Sequence, residues 1–322
     1  MRIIVHGTGA IGGAMAGLLA LAGREVVGIA RGAQREAISA RGLRIRMPSG
    51  DRQARFDCVA SPEALTLRPD DAVILAVKTQ DTLGALAQLR AAGLSEQPVF
   101  CAQNGVENER LALRYFPNVH GMTVMMPAQF LVPGEVAVFG TPKPGIFDLG
   151  RYPSGLDDAD RAMAEALEAA GFAAFAVPDV MASKYGKLLM NLGNITEAAF
   201  GSSPEAKAIR PRLREEAAAV LAAAGIAWKD VGAADPRRDA LMKIVEIEGL
   251  DRAGSSTTQS LARGTGSVET DYLNGEIALL AALHGVPAPA NAWLTALAAR
   301  MAREGRAPGS VPLAEFEAAM AG

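Results

Sequence analysis

Met1-Arg2-Ile3-Ile4-Val5-His6-Gly7-Thr8-Gly9-Ala10-Ile11-Gly12-Gly13-Ala14 is the stretch whose reading decides the fold. The apolar run Ile3 to His6 reads as a strand that leads straight into a GxGxxG turn and then a helix. Gly7 suits the tight turn, Gly9 lets backbone approach a pyrophosphate, and Gly12 lets the helix lie close against the strand. Free N–H groups at the helix N-terminus would face the phosphates. Glycine-rich turns are common, so the motif owes its weight to this placement. Gly7, Thr8, Gly9, Ala10, Ile11 and Gly12 are the first candidate cofactor-binding residues.

Glu25 to Ala30 reads as the second strand. An acidic residue at its end would grip the ribose 2′-hydroxyl of NAD. This strand runs instead into Arg31-Gly32-Ala33-Gln34-Arg35. A carboxylate repels a 2′-phosphate, whereas a guanidinium holds one through paired, charge-assisted hydrogen bonds. Arg31 therefore points to NADP(H).

At 322 residues, half of them hydrophobic, the chain has room for two domains with sizeable cores. A formal net charge of −3 gives no basic footprint for nucleic acid, and no Lys/Arg-rich tract suggests a membrane surface. No apolar run has the roughly 20 residues of a membrane span, and no signal segment opens the chain, so the expected location is the cytoplasm. Cys58 and Cys101 form no CxxC pair, and His6, His120 and His284 are scattered. Neither a disulfide nor a metal site is expected.

Leu43 to Met47 and Phe56 to Val59 read as short strands around the turn Pro48-Ser49-Gly50-Asp51, a hairpin excursion from the sheet. Asp71 to Val77, ending in Lys78-Thr79, and Pro98 to Ala102, ending in Gln103-Asn104-Gly105, read as buried parallel strands. Their polar ends matter because ligands of open α/β sheets lie beyond the carboxyl ends of the strands. Val119 to Gly150 should hold further strands. A helix over Leu156 to Ala170, with Asp157 near its start, and a last strand over Ala173 to Val177 should follow. From Asp179 onward alanine- and leucine-rich helical patterns take over. These features predict a Rossmann domain over 1–178 and an all-α domain over 179–322, with the substrate site expected in a cleft between them.

In Lys184 to Asn194 a single helix would place Lys187, Asn191 and Asn194 on one face, at i, i+4 and i+7. Leu188, Leu189, Met190 and Leu192 fill the other positions. A polar stripe in an apolar helix faces either solvent or a cleft. Gly254 to Ser260, rich in Ser and Thr, reads as a polar connection of the kind used for binding. Glu269 stands near the start of the next helix, where its charge suits the dipole.

Taken in order, Gly7 to Gly12, Arg31, Val77-Lys78, Gln103-Asn104-Gly105, Lys187-Leu188 with Asn191, Ser255-Ser256, and Glu269 to Gly275 resemble the ketopantoate reductase family, the 2-dehydropantoate 2-reductases of pantothenate biosynthesis. The likeness spans nearly the whole chain. It implies an NADP-binding Rossmann domain followed by a helical domain like that of 6-phosphogluconate dehydrogenase. It also implies hydride transfer from NADPH to the carbonyl of a 2-oxo acid. In that resemblance Lys187 matches the proton-donating lysine, and Glu269 the glutamate that orders lysine and cofactor. Asn104 matches an asparagine touching nicotinamide and substrate, and Lys78 a lysine near the cofactor. Asn191 and Ser256 match substrate-binding residues, Ser256 towards the carboxylate. Asn194 stands for a second substrate-binding asparagine, but follows Asn191 by three residues where the family spaces them by four. On one helix such a slip turns a side chain by about 100°. Ile195-Thr196-Glu197 follows where the family has proline. A hydroxyacid dehydrogenase of the broader superfamily and a non-catalytic dinucleotide sensor are the alternative readings. A homodimer is compatible with all of them.

Overall fold

A computed structural model of the chain describes residues 1–262, 264 and 268–321. It divides into two compact units, Met1–Lys184 with Asp230–Arg252, and Tyr185–Lys229 with Ala253–Gly322.

The first unit is built on an eight-stranded sheet. Its strands are β1 (Arg2–His6), β2 (Val26–Ile29), β3 (Asp57–Val59), β4 (Asp71–Leu75), β5 (Val99–Cys101), β6 (Val119–Met125), β7 (Ile146–Arg151) and β8 (Ala173–Ala176). Across the sheet they run β8-β7-β6-β5-β4-β1-β2-β3. From β3 to β6 every pairing is parallel, in the doubly wound order 3-2-1-4-5-6. β7 then joins β6 antiparallel, and β8 pairs with β7 in parallel. Side chains alternate across the strands, so Ile3, Val5 and Ile74 enter one core, while Ile4, Val73 and Leu75 enter another with Leu86 and Leu89. Burial on both faces explains why β1 and β4 read as unbroken apolar runs.

The helix Ala10–Leu21 is apolar almost all round because both of its sides are covered. One side meets the main sheet. The other meets a four-stranded sheet of Arg52–Ala54, Leu43–Arg46, Glu135–Val138 and Ala128–Val132, whose Leu43, Ile45, Ala54, Val136 and Val138 share the same core. A Cβ on Gly17 would lie 2.5 Å from Ile45 Cδ1, so this layer packs close over the helix, and a larger residue would have to displace the end of Ile45.

Two sequence expectations change here. The excursion at 43–59 is not one hairpin: Leu43–Arg46 pairs with Arg52–Ala54, while Asp57–Val59 pairs in parallel with β2 as the third Rossmann strand. The second is the segment 230–252, read as part of the helical stretch, which packs within the first unit. Its strand Met242–Ile244 pairs antiparallel with Gly140–Pro142, and Ile247 packs with Ala137 and Phe139. Arg237 fastens it further, donating to both oxygens of Asp148 on β7 at 2.7 and 3.2 Å and lying 4.8 Å over the Phe175 ring. Strand pairing and an arginine clamp are long-range partners that helical periodicity cannot announce.

The second unit is helical, with Leu188, Leu189, Leu192, Ile195, Leu213, Val220, Leu221, Ile277, Leu294 and Met301 at its centre. A buried amide network holds it. Asn274 donates to Asn291 Oδ1 at 3.0 Å, and Asn291 donates to Leu213 O and Glu216.

Asp148 is buried, and Ser183 Oγ also donates to it, at 2.8 Å. Removing the guanidinium alone takes a charged partner at 2.7 Å from a buried carboxylate, a change expected to cost on the order of 3 kcal/mol. Arg237→Met is therefore expected to lower the denaturation midpoint and to open 230–252 to protease. The double variant Arg237→Met/Asp148→Asn should recover much of the midpoint. Equal protease resistance of Arg237→Met and wild type would show that the strand pairing alone holds the segment.

Candidate active site

The phosphate loop is fixed by contacts that only glycine permits. Gly7 has φ +102°, and a Cβ there would sit 2.8 Å from Val77 N. A Cβ on Gly12 would lie 2.0 Å from Gly7 O and 2.9 Å from Ala76 Cβ. Gly9 differs, since no described residue lies within 4 Å of where its Cβ would be. Its bare backbone faces open space at the N-terminus of Ala10–Leu21, where Gly9 supplies no side-chain cap. That is the cradle a dinucleotide pyrophosphate fits. Gln34, which the sequence reading gave no role, secures the loop. Its Nε2 donates to Thr8 O at 2.7 Å, and its Oε1 accepts from Gly134 N at 2.7 Å.

Backbone bonds extend the sheet one residue beyond its strands, through Gly7 N to Ile29 O, Ala76 N to His6 O and Ala102 N to Leu75 O. The carboxyl ends of β2, β1, β4 and β5 thus lie level. Arg31, the loop 7–12, Lys78 and Asn104 follow these four neighbouring ends in that order. Arg31 is exposed and makes no hydrogen bond or ion pair among the described residues, leaving its guanidinium available to an anion.

Beneath Lys78 and Asn104 lies a buried polar network that the sequence reading missed. Asn108 Nδ2 donates to Asn104 O at 3.3 Å and to Thr79 Oγ1 at 3.1 Å, while its Oδ1 accepts from Thr82 Oγ1 at 2.7 Å. Gln103 Nε2 donates to Thr82 Oγ1 at 3.2 Å. Lys184 is buried beside it, its Nζ donating to Cys101 O at 3.3 Å and Gln103 O at 3.1 Å and pairing with Glu109. Burial drives the Glu109 carboxyl upward against the pull of that ammonium, and pushes the Cys101 thiol well above its ordinary value.

In the second unit the expected single face does not form. The helix Val180–Asn191 carries Lys187 and Asn191, ends at the turn Leu192-Gly193, and gives way to a new helix, Asn194–Phe200. Groups freed by the break find partners: Asn274 Nδ2 donates to Leu192 O at 3.2 Å, and Thr196 Oγ1 to Gly193 O at 2.8 Å. Arg210 fills the space over Gly193, where a Cβ would lie 2.9 Å from Nε. Asn194 therefore starts a helix instead of sharing the i+7 face. It meets Ser256, donating from Nδ2 to Oγ at 3.4 Å. Ser256 opens a short helix, Ser256–Ala262, where the sequence suggested a loop. Ser255 N donates to Glu197 Oε1 at 3.0 Å, and Ser255 Oγ to Asn194 O at 3.1 Å, so the departure at Glu197 holds the Ser255-Ser256 turn. Asn191 is buried and its Nδ2 has no partner among the described residues, while Lys187 is half-buried. Glu269 starts a 3-10 turn, Glu269–Tyr272, as its charge suits.

Among the described residues His120, Asp157 and Asp160 group as a metal site would. Their atoms are engaged otherwise. Asp157 and Asp160 form the capping box of the helix Asp158–Ala169, Arg151 donates to Asp157 Oδ2 at 2.7 Å, and His120 Nδ1 meets Asp160 Oδ1 at 2.7 Å. The group also lies at the amino end of β6, away from the phosphate loop.

Gly9→Ala is expected to leave the melting temperature nearly unchanged and to weaken dinucleotide binding at least tenfold by titration. Gly12→Ala should instead fail to fold stably, because its clash is with backbone. Unaltered binding by Gly9→Ala would place the pyrophosphate elsewhere. His6, just before the loop, gives a second prediction. Burial, helped by the Arg31 charge and opposed by Glu63, pushes its imidazole down to about 4 from 6.5. Between those values the unfolded chain binds the extra proton, so stability should fall with pH from about 6.5 to about 4 by up to about 3 kcal/mol. Denaturation of His6→Phe across that window should lack this component. An identical slope in variant and wild type would assign it to other groups.

Known proteins resemble this chain in sequence and in fold. The model of the ketopantoate reductase PanE/ApbA family matches residues 3–154, and that of its C-terminal domain matches residues 179–302. The 2-dehydropantoate 2-reductase of Archaeoglobus fulgidus is 29% identical over 86% of this chain and 89% of its own length. That of Pyrococcus horikoshii is 28% identical over 92% of this chain and 96% of its own. The crystal structure of a PanE/ApbA family ketopantoate reductase from Ralstonia eutropha superposes with a TM-score of 0.79 at 30% identity, covering 95% of this chain and all of that one. A D-mandelate dehydrogenase bound to NADH and anilino(oxo)acetate shares the fold, with a TM-score of 0.78 at 23% identity over 95% of this chain and all of its own. With both of its domains matched in order over 3–154 and 179–302, and a near full-length structural relative, this chain belongs to the ketopantoate reductase family.

Proposed function

We propose that the protein reduces 2-dehydropantoate, a 2-oxo acid, to the 2-hydroxy acid pantoate with NADPH as reductant. The observation that carries this reading is the near full-length match to relatives named for that reaction, in a chain holding the motif residues of both units. For the cofactor, the exposed and unpaired Arg31 at the end of β2, with no acidic residue in its place, supports NADPH over NADH.

A bound reduced nicotinamide supplies the hydride to the substrate carbonyl carbon. The chain does the rest. As negative charge grows on the carbonyl oxygen, the Lys187 ammonium stabilises it and delivers the proton there. Glu269 orders that ammonium and the cofactor. Asn104 orients nicotinamide and substrate, and Lys78 adds positive charge beside the cofactor. Asn191 Nδ2, without a partner among the described residues, offers two donors to the substrate, and Ser256 with Asn194 receives its carboxylate end.

The test is NADPH oxidation with 2-dehydropantoate beside branched and polar 2-oxo acids. Expected is a kcat/KM for 2-dehydropantoate above about 10⁴ M⁻¹s⁻¹, with the other acids far poorer. Lys187→Ala should lower kcat by roughly a hundred to ten thousand fold while NADPH affinity holds. Arg31→Ala should remove an NADPH preference of about tenfold or more. Turnover of another 2-oxo acid in preference would reassign the substrate, and a Lys187→Ala variant keeping more than about a third of turnover would remove Lys187 from the chemistry.

A further inference from the structure

The proposed chemistry leaves Lys184 unused, although it is among the most constrained side chains of the first unit. It is 2% exposed, and Glu109, its partner, is fully buried. An ammonium has three N–H donors, and all three are committed, to Cys101 O, Gln103 O and Glu109. The two carbonyls flank the point where β5 leaves the sheet, and the residue that follows them is Asn104. Asn104 is held from its other side by Asn108, the neighbour of Glu109 on the helix Asn108–Leu113. Two adjacent residues of one short helix thus clamp the Asn104 turn, one directly and one through the lysine. Lys184 belongs to the helix Val180–Asn191, which carries Lys187 one turn further on.

We propose that Lys184, paired with Glu109, is a positioning residue for hydride transfer, acting through the Gln103-Asn104-Gly105 turn. The proposal rests on Asn104 meeting nicotinamide and substrate. A buried pair suits the task because its geometry is close to all-or-none. Withdrawing the ammonium would leave two carbonyls and a carboxylate buried without their donor, so intermediate positions of the turn are costly. Tight placement matters because misplacement of a reacting group by about 1 Å costs on the order of a hundredfold in rate.

The experiment is a mutant cycle between this pair and Asn104, read as the single-turnover rate of NADPH oxidation at saturating 2-dehydropantoate. Lys184→Met/Glu109→Gln removes both charges at similar volume, so no lone buried charge remains. Its rate is expected to fall about ten- to a hundredfold in the wild-type background and by less than about threefold when Asn104 is already Ala. NADPH affinity, set at the phosphate loop, should change by less than about threefold in either background. If that pair does not fold, Lys184→Arg enters the same cycle, since the longer cation keeps the charge but displaces the turn, and the same non-additivity is expected. Additive losses, an unchanged rate, or NADPH affinity falling in step with the rate would overturn the proposal and leave the pair a structural one. An Asn104→Ala variant as fast as wild type would overturn the role of Asn104 and this proposal together. A slow Asn104→Ala variant with additive losses overturns this proposal alone.

Discussion

The approach of the helix Ala10–Leu21 to the ends of β1 and β4 is the constraint on which the rest of the first unit depends. Gly12 would place a Cβ 2.0 Å from Gly7 O, and Gly7 would place one 2.8 Å from Val77 N. With both side chains absent, the helix begins directly at the sheet end and its first N–H groups are left free. The flanking strands β2 and β4 then fix where Arg31 and Lys78 emerge. The same closeness lets the four-stranded sheet roof the helix through Ile45 and Ala54. Gly9 is the exception within the motif. No described residue lies within 4 Å of where its side chain would begin, so its backbone stays open at the helix N-terminus.

What was legible in the sequence was whatever a short stretch decides by itself. β1, the loop and its helix, β4 and β5 with their polar ends, and the Asp157 cap all follow from local patterns of burial and turn chemistry. The misreadings share a cause. Leu43–Arg46, Arg52–Ala54 and Asp57–Val59 are only three or four residues long, and nothing local says that the last leaves the hairpin for β2. Met242–Ile244 is three residues long, and its strand state comes from Gly140–Pro142. Its partner is about a hundred residues away in the chain.

The polar scaffold under the candidate site was illegible for another reason. Thr79, Thr82, Gln103, Asn108, Glu109 and Lys184 are ordinary types at unremarkable spacings, and each alone reads as a surface residue. Burial changes their meaning. In water these groups would exchange partners freely, whereas inside the first unit each must keep the one it has or lose a hydrogen bond outright. Asn108 and Lys184 consequently hold the turn of Asn104 more firmly than an apolar core would, because apolar packing tolerates sliding and directional bonds do not.

The second unit shows how a spacing argument can fail while the residue it concerns stays relevant. A shift of Asn194 by one position would turn its side chain by about 100° if a single helix ran from Lys184 to Asn194. The helix ends at Asn191, and after the Leu192-Gly193 turn Asn194 starts another whose rotational phase is set by its own packing. Arg210 over Gly193 and the caps from Asn274 and Thr196 stabilise that break. Asn194 can then bond Ser256 despite the altered spacing, and Glu197 holds Ser255 from the next turn. Asn194 and Glu197 therefore act together: both lie on the second helix, and through them the Ser255-Ser256 turn is anchored to that helix and not to a continuation of the first.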